Sequence, residues 1–514
     1  MGHFISSRRF KCTRMKLAGL FYCLLCIQPL LAQSPDADLN FLITKITKDY
    51  AGYPDKVDQQ NFNALISKVA KDTSKDRFYA LSQLTTYFKD DHLALFGSVR
   101  LTHADTLSCQ ADLSTLRPRV SDRRSHPQSH AHPQSHAHPP SMEGYYVNDL
   151  NTCVIYMKPA GASDKPAGNG DKSAGAGDKL PGTGDWDGYL IESRDPVPPG
   201  YRVFRLHDKG DGQYVADYTD PHDLFRVVID ARMTKNGRLV GGAYFQFEPC
   251  TYAPGMLAGK PAFNYTPALT SLDSQTVLVH MPDFAPENKH LYDSLFKANI
   301  ARMDSATTLI LDVRNNYGGV IGCFMPVLAY VCKSPMLSVS GWQLCSEDLI
   351  ADARSDLRIF REKKDSANIA DYEEYLAGME QHRDSFRLYS ENQLPCVSRA
   401  SRIRHVAILV NHATRSAGEL MLLYFKQSGS SSVCLFGENS RGAVDYLDLL
   451  SFTLPVSGAY LWVGSTKRKT TIAQPAYDAT GIPPDVRIPD TEPDWIGFVR
   501  EYYRRQDRSR SQLD

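Results

Sequence analysis

A chain of 514 residues with 42% hydrophobic and 23% charged side chains has globular composition and length for two or three domains around a sizeable core, which excludes a disordered or fibrous protein. Lysine plus arginine and aspartate plus glutamate each number 58. No overall field draws such a chain to nucleic acid or to an anionic membrane, and neither is expected as a partner.

At the amino terminus Arg8, Arg9, Lys11, Arg14 and Lys16 precede an uncharged apolar run from Leu17 to Ala32. This layout predicts a secretory signal over residues 1–32, with Met15 as a second candidate start. The run is shorter than the roughly 20 apolar residues that span a bilayer, and Gln28 and Pro29 interrupt it. Neither Cys23 nor Cys26 follows the small residue of a lipoprotein signal. Export to the periplasm or the extracellular space is therefore expected, with no stable membrane insertion once the signal is removed. The cysteines beyond the leader show no paired short spacing, so no zinc site or disulfide-dense scaffold is predicted, and disulfide pairing stays open.

Residues 33–100 carry apolar side chains at helical spacing: Leu39, Leu42, Ile43 and Ile46, then Phe62, Leu65, Ile66 and Val69, then Leu81, Leu84 and Phe88. They predict a helical amino-terminal cap. It ends in Asp90-Asp91-His92, and Leu93, Leu95 and Gly97 suggest a strand and its turn.

Residues 101–268 read as a β-rich region interrupted at about 121–184 by low complexity, first a tandem His-Pro-Gln-Ser-His-Ala repeat and then Gly-Asp-Lys units. Such composition cannot bury enough apolar surface to fold. A short ordered piece, Tyr145 to Met157, separates the two halves. The repeated histidines read as a solvated linker, and no metal site is assigned. Tyr201 to Leu206, Tyr214 to Tyr218, Phe225 to Ile229 and Ala243 to Phe247 are predicted strands.

From residue 269 to 490 strands alternate with helices. Val277 to Met281 and Thr308 to Val313 are predicted strands, with helices over Lys289 to Ala301 and Val320 to Val331. A charged helical insertion occupies about 350–390, after which Val406 to Val410 is a strand and Ala417 to Lys426 a helix. Continuous apolar strands followed by helices predict an α/β fold with a largely parallel sheet covered on both faces. Residues 491–514 form a carboxy-terminal helix or tail.

Three segments of this core suit chemistry. Asp312-Val313-Arg314-Asn315-Asn316-Tyr317-Gly318-Gly319 runs from a buried strand into a glycine pair whose backbone N–H groups can approach a ligand closely, as an oxyanion hole requires. Asn411-His412-Ala413-Thr414-Arg415-Ser416-Ala417-Gly418-Glu419 places Ser416 at a helix start, where its hydroxyl suits a nucleophile and the Ala417 N–H a second oxyanion donor. By itself Ser416 also reads as a helix cap paired with Glu419. Tyr477-Asp478-Ala479-Thr480-Gly481-Ile482-Pro483-Pro484-Asp485 is a turn with two carboxylates, of which Asp485 reads as shaping the turn.

Together these segments resemble the tail-specific, or carboxy-terminal-processing, serine protease family and its tricorn-like branch. The family pattern is an Asp-Leu-Arg-x-Asn-x-Gly-Gly turn, a Thr-x-Ser-Ala-x-Glu nucleophile turn, a Gly-Glu-x-Thr-x-Gly loop and a Gly-Val/Ile-x-Pro-Asp ending. They occur here in that order as Asp312 to Gly319, Thr414 to Glu419, Gly437 to Gly442 and Gly481 to Asp485. The resemblance implies a crotonase-like protease core, peptide or protein substrates and no cofactor. The peptide-binding PDZ domain of many members has no clear counterpart.

One departure matters. Members with a Ser/Lys dyad carry Lys directly after the last Gly of the third motif, where this chain has Ala443, whose methyl cannot take a proton. The tricorn-like branch resembles a Ser/His/acid arrangement with its His in an upstream Asp-x-His element, which Asp90-Asp91-His92 matches. This implies Ser416 as nucleophile, His92 as general base, Asp478 as the orienting acid, and Gly318, Gly319 and Ala417 around the oxyanion. Lys467 and Arg468 are candidates to receive a substrate carboxylate. The rival expectations are a catalytically silent member that binds a peptide or apolar ligand, and a dyad using Lys426 or Lys467.

Overall fold

The computed structural model describes residues 37–511, apart from 75, 102–108, 110–141, 161–183, 196, 243, 262, 333–335, 338–340, 390–392, 395–397, 472–474 and 479. The predicted leader, the His-rich repeat and the Gly-Asp-Lys units lie outside the described residues. Among the described residues, no helix is long and apolar enough to cross a membrane. The chain divides into two units. One is drawn from Met1–Lys71, Asp90–Leu93 and Tyr265–Asp514, the other from Asp72–Lys89 and Ala94–Asn264.

The second unit contains the largest sheet, and it is antiparallel. Strands Gly144–Asn148, Cys153–Pro159, Trp186–Ser193, Arg202–Gly210, Gln213–Thr219, Phe225–Met233, Leu239–Gly241 and Phe245–Cys250 each pair with the next, and the last returns to the first. The result is an eight-stranded barrel without a free edge. Phe204, Phe245 and Phe247 are buried together. Gly188 makes room for Phe204, since a Cβ there would fall 2.5 Å from its ring. The sequence predicted strands here but not their closure, and the short piece Tyr145 to Met157 supplies two of the barrel strands. The fold is mixed α/β, and the expectation of one dominant parallel sheet gives way to a parallel core accompanied by a larger antiparallel barrel.

The first unit contains the parallel core. Strands Thr276–His280, Thr308–Asp312, His405–Val410, Val433–Gly437 and Val486–Arg487 are parallel, with Ala268–Ser271 antiparallel at one edge. Alternating side chains enter two cores. Leu309, Leu311, Val406, Ile408 and Val410 pack with Tyr292, Phe296, Met421, Leu422 and Phe425, from helices Lys289–Ser305 and Ala417–Gln427. Ile310, Ala407, Leu409 and Phe436 pack with Trp495, Val499 and Tyr503 of helix Trp495–Ser511. Each fully buried aliphatic side chain contributes about 1.5–3 kcal/mol through area removed from water, which fixes the sheet and therefore the loops at its carboxyl end.

Helices Ala37–Asp49 and Gln59–Ala70 belong to this unit. Asp58 caps the latter by accepting the Asn61 N–H at 2.9 Å. The charged insertion forms helices Glu347–Glu362 and Ser366–Gln381 beside an antiparallel sheet of Gly341–Leu344, Phe386–Tyr389, Tyr446–Thr453 and Tyr460–Arg468. One predicted helix is much shorter than expected. Val320 to Val331 holds only a 3₁₀ turn, Ile321–Cys323, and one α turn, Met325–Leu328, because Pro326 can sit only in a first helical turn.

Candidate active site

Strands Thr308–Asp312 and His405–Val410 are adjacent and parallel, with Asp312 opposite Leu409, so the turns that leave their carboxyl ends meet. Thr414 Oγ1 donates to the Val313 carbonyl at 2.8 Å, Arg415 N to the Asn316 carbonyl at 3.0 Å. Asn315 and Asn411 exchange hydrogen bonds, backbone N–H to side chain at 2.9 Å and side chain to side chain at 2.8 Å. The glycine pair is thus brought to the nucleophile turn. A Cβ on Gly318 would fall 2.7 Å from Ser416 Cβ and 2.9 Å from Ala417 N, and one on Gly319 2.0 Å from the Phe284 carbonyl oxygen.

Ser416 sits at the N-cap of Ala417–Gln427 with φ 53° and ψ −122°. A non-glycine residue held there stores about 1–3 kcal/mol of backbone strain, a conformation typical of functional turns. Gly318 donates its N–H to Asn316 Oδ1 at 2.9 Å. Among the described residues the N–H groups of Gly319 and Ala417 make no hydrogen bond. Of the two glycines, Gly319 therefore has an amide available for an oxyanion. The glycine pair lacks the long helix expected after it, so the positive helix end at this site is that of Ala417–Gln427.

Glu419 does more than cap. Wholly buried, it accepts the Ser416 N–H at 3.2 Å, the Ser440 hydroxyl at 2.5 Å, and the N–H groups of Gly442 and Ala443 at 2.6 and 2.8 Å. Burial pushes its carboxyl up to about 7 against the pull of these donors. The third motif is thereby fixed to the nucleophile turn, and Arg441 N–H adds a bond to the Thr414 carbonyl at 2.9 Å. Ala443 is buried where a dyad lysine would stand. The closing motif packs on the same loop, through Ile482 N–H to Ser440 Oγ at 2.7 Å.

The Asp90-Asp91-His92 element belongs to the same unit. Asp90 Oδ2 accepts the Tyr50 hydroxyl at 2.6 Å and Oδ1 the His92 N–H at 2.8 Å. Asp91 pairs with Arg441 through two bonds of 2.5 and 2.9 Å. The His92 ring is buried, and its Nδ1 makes no hydrogen bond among the described residues. Burial lowers the His92 pKa, Arg415 acts in the same direction, and Asp90 and Asp91 oppose both. Arg415, the residue before Ser416, acts electrostatically on both Asp91 and His92.

Three expectations are placed differently. Asp478 pairs with Lys56 rather than His92, and burial with the nearby Asp90 charge raises its carboxyl to about 7. The carboxylate acting most strongly on His92 is Asp90. Arg468 is buried on Asp445 and the Pro475 carbonyl, so its charge is neutralised inside the protein and withdrawn from any substrate carboxylate. Lys467 bonds Asp55 at 3.0 and 3.1 Å. As a rival base Lys426 fails on distance, since ten residues of helix separate it from Ser416, about 15 Å at 1.5 Å per residue, and it holds Asp485 at 3.0 Å. Asp485 shapes its turn by accepting the Leu435 N–H at 2.8 Å.

Residues 275–488 match the model of peptidase family S41. The matched stretch is similar to family S41 and supports a serine-type peptidase. Similar solved structures include a lipoprotein from Streptococcus agalactiae, at 20% identity over 43% of this chain and 65% of that one with a TM-score of 0.28. A photosystem II D1 C-terminal processing protease matches at 13% identity over 90% of this chain and 94% of that one, TM-score 0.37. Mature CPAF matches at 10% identity over 88% and 93%, TM-score 0.41. No curated protein matches the chain.

Around this site, sequence reasoning missed three residues. The role of Glu419 was signalled by its spacing from Ser416 but hidden by the capping reading. Lys56 and Arg441 carry no sequence signal, because only the fold brings them to Asp478 and Asp91.

Proposed function

We propose that the chain is an exported serine endopeptidase that hydrolyses peptide bonds in peptide or protein substrates through an acyl-enzyme on Ser416, with His92 as general base. The observation that carries this reading is the strained Ser416 turn flanked by two amides, of Gly319 and Ala417, that make no other hydrogen bond among the described residues. In this scheme Ser416 Oγ bonds to the scissile carbonyl carbon as its proton passes to His92. The negative oxygen then lies against those amides. Collapse breaks the C–N bond, and the amine takes the proton from His92. Water repeats the two steps and releases the acid. Asp90 stabilises the imidazolium by its charge. No metal or organic cofactor enters these steps.

A crotonase-like arrangement is consistent with the parallel core and its carboxyl-end loops. Export is supported by the charged and apolar leader, and Cys332 is disulfide-bonded, as oxidising compartments allow. Release of fluorescent peptides from an unfolded labelled protein tests the proposal. The wild type should release them, and Ser416→Ala and His92→Ala should not.

Ala443 in the place of a dyad lysine favours a second reading, a silent member that holds a peptide in the cleft. That reading predicts saturable binding of the unfolded protein with no release by any of the three.

A further inference from the structure

We infer that the ion pair between Asp91 and Arg441 is a latch that holds the base element against the nucleophile turn, which makes both residues positioning residues for the reaction. The inference rests on the assignment of His92 as base.

Asp91 and Arg441 are 350 residues apart and meet in a bidentate pair of 2.5 and 2.9 Å. Two parallel bonds fix orientation as well as distance. The side chains are 11% and 29% exposed, so salt screens the pair weakly. Asp91 is covalently next to His92. Arg441 donates its backbone N–H to Thr414, two residues before Ser416, and its loop is held by Glu419 on both sides, through Ser440, Gly442 and Ala443. A continuous chain of short bonds therefore runs from base to nucleophile. The guanidinium cannot itself take a proton near neutral pH, so Arg441 acts only through what it holds. A lysine at 443 would carry a base on this loop, and Arg441 instead secures a base supplied from elsewhere in the chain. Both residues occupy unspecified positions of their motifs, Asp-x-His and Gly-Glu-x-Thr-x-Gly, so the motifs themselves do not call for the pair.

The test measures kcat and KM on a fluorogenic peptide for Asp91→Asn, Arg441→Gln, Arg441→Lys, the exchanged double variant Asp91→Arg/Arg441→Asp, and His92→Ala, with thermal melts to establish the folded fraction. A displaced base costs on the order of 100-fold. Asp91→Asn and Arg441→Gln should therefore lose about that factor in kcat with KM changed less than about threefold. The exchanged pair should recover at least about tenfold, and Arg441→Lys, with one bond in place of two, should fall between. In Asp91→Asn the acid limb of the pH profile should move to lower pH, because a charge that raises the His92 pKa is gone. Wild-type kcat in Asp91→Asn and Arg441→Gln, with His92→Ala impaired, overturns the latch and leaves the base assignment intact. Losses that follow only the unfolded fraction overturn it too. Wild-type kcat in His92→Ala overturns the base assignment itself.

Discussion

The backbone N–H of Ser416 donates to the buried carboxylate of Glu419 at 3.2 Å, so the strained nucleophile turn is held from beneath by a group that also grips the third motif. Burial raises this carboxyl from its ordinary value of 4.5 to about 7. Between those two values the folded protein keeps a proton that the unfolded chain has released, so this group's contribution to stability falls as pH rises from about 4.5 to about 7. Urea melts of the wild type and Glu419→Gln at pH 5 and pH 8 should differ. The wild type should lose up to about 3 kcal/mol more than the variant over that interval, whereas equal losses would contradict the assignment.

Gly318 and Gly319 have φ of 89° and 133°, where a side chain is disfavoured even in open space. Gly318→Ala drives a methyl into Ser416 and the Ala417 amide, and its kcat/KM should fall by about 100- to 1000-fold, the cost of losing an oxyanion donor, with a lowered melting temperature from the strained backbone. Gly319→Ala meets backbone at Phe284 and should lower both activity and melting temperature. A fully active Gly318→Ala enzyme would show that this turn does not face the reacting carbonyl.

His92 is buried and its pKa lies below the ordinary 6.5. A base with a lowered pKa stays unprotonated to lower pH, so kcat/KM should hold through pH 6.5 and decline only below it. An acid limb centred above 6.5 would contradict the buried, Arg415-facing environment.

Asp90 and Asp478 separate the two carboxylate roles. Asp90→Asn removes the charge that most opposes burial of the imidazolium. It should lower kcat by at least about tenfold and shift the acid limb further down. Asp478→Asn should cost less than about tenfold, because its carboxylate is committed to Lys56. The reverse ranking would return the orienting role to Asp478.

Much of the parallel core was legible because its strands, such as Leu309 to Asp312 and Val406 to Val410, are continuous apolar runs that only a sheet buried on both faces accommodates. The Ser416 turn was legible because its residues are local in sequence. What escaped depends on distant encounters. The barrel closes through pairing of Tyr145 with Cys250, and neither strand encodes its partner. The environment of Asp478 is set by Lys56, and Asp445 orients its segment by accepting the N–H groups of Tyr477 and Asp478. Arg468 read as a candidate for a substrate carboxylate because periodicity does not reveal the distant Asp445 that pairs with it.

Mass spectrometry after exposure to a fluorophosphonate tests the central claim most directly. The account predicts one adduct on the peptide containing Ser416 in the wild type, none in Ser416→Ala, and labelling at least about 100-fold slower in His92→Ala. An unlabelled, folded wild type, or a His92→Ala protein labelled at the wild-type rate, would contradict it.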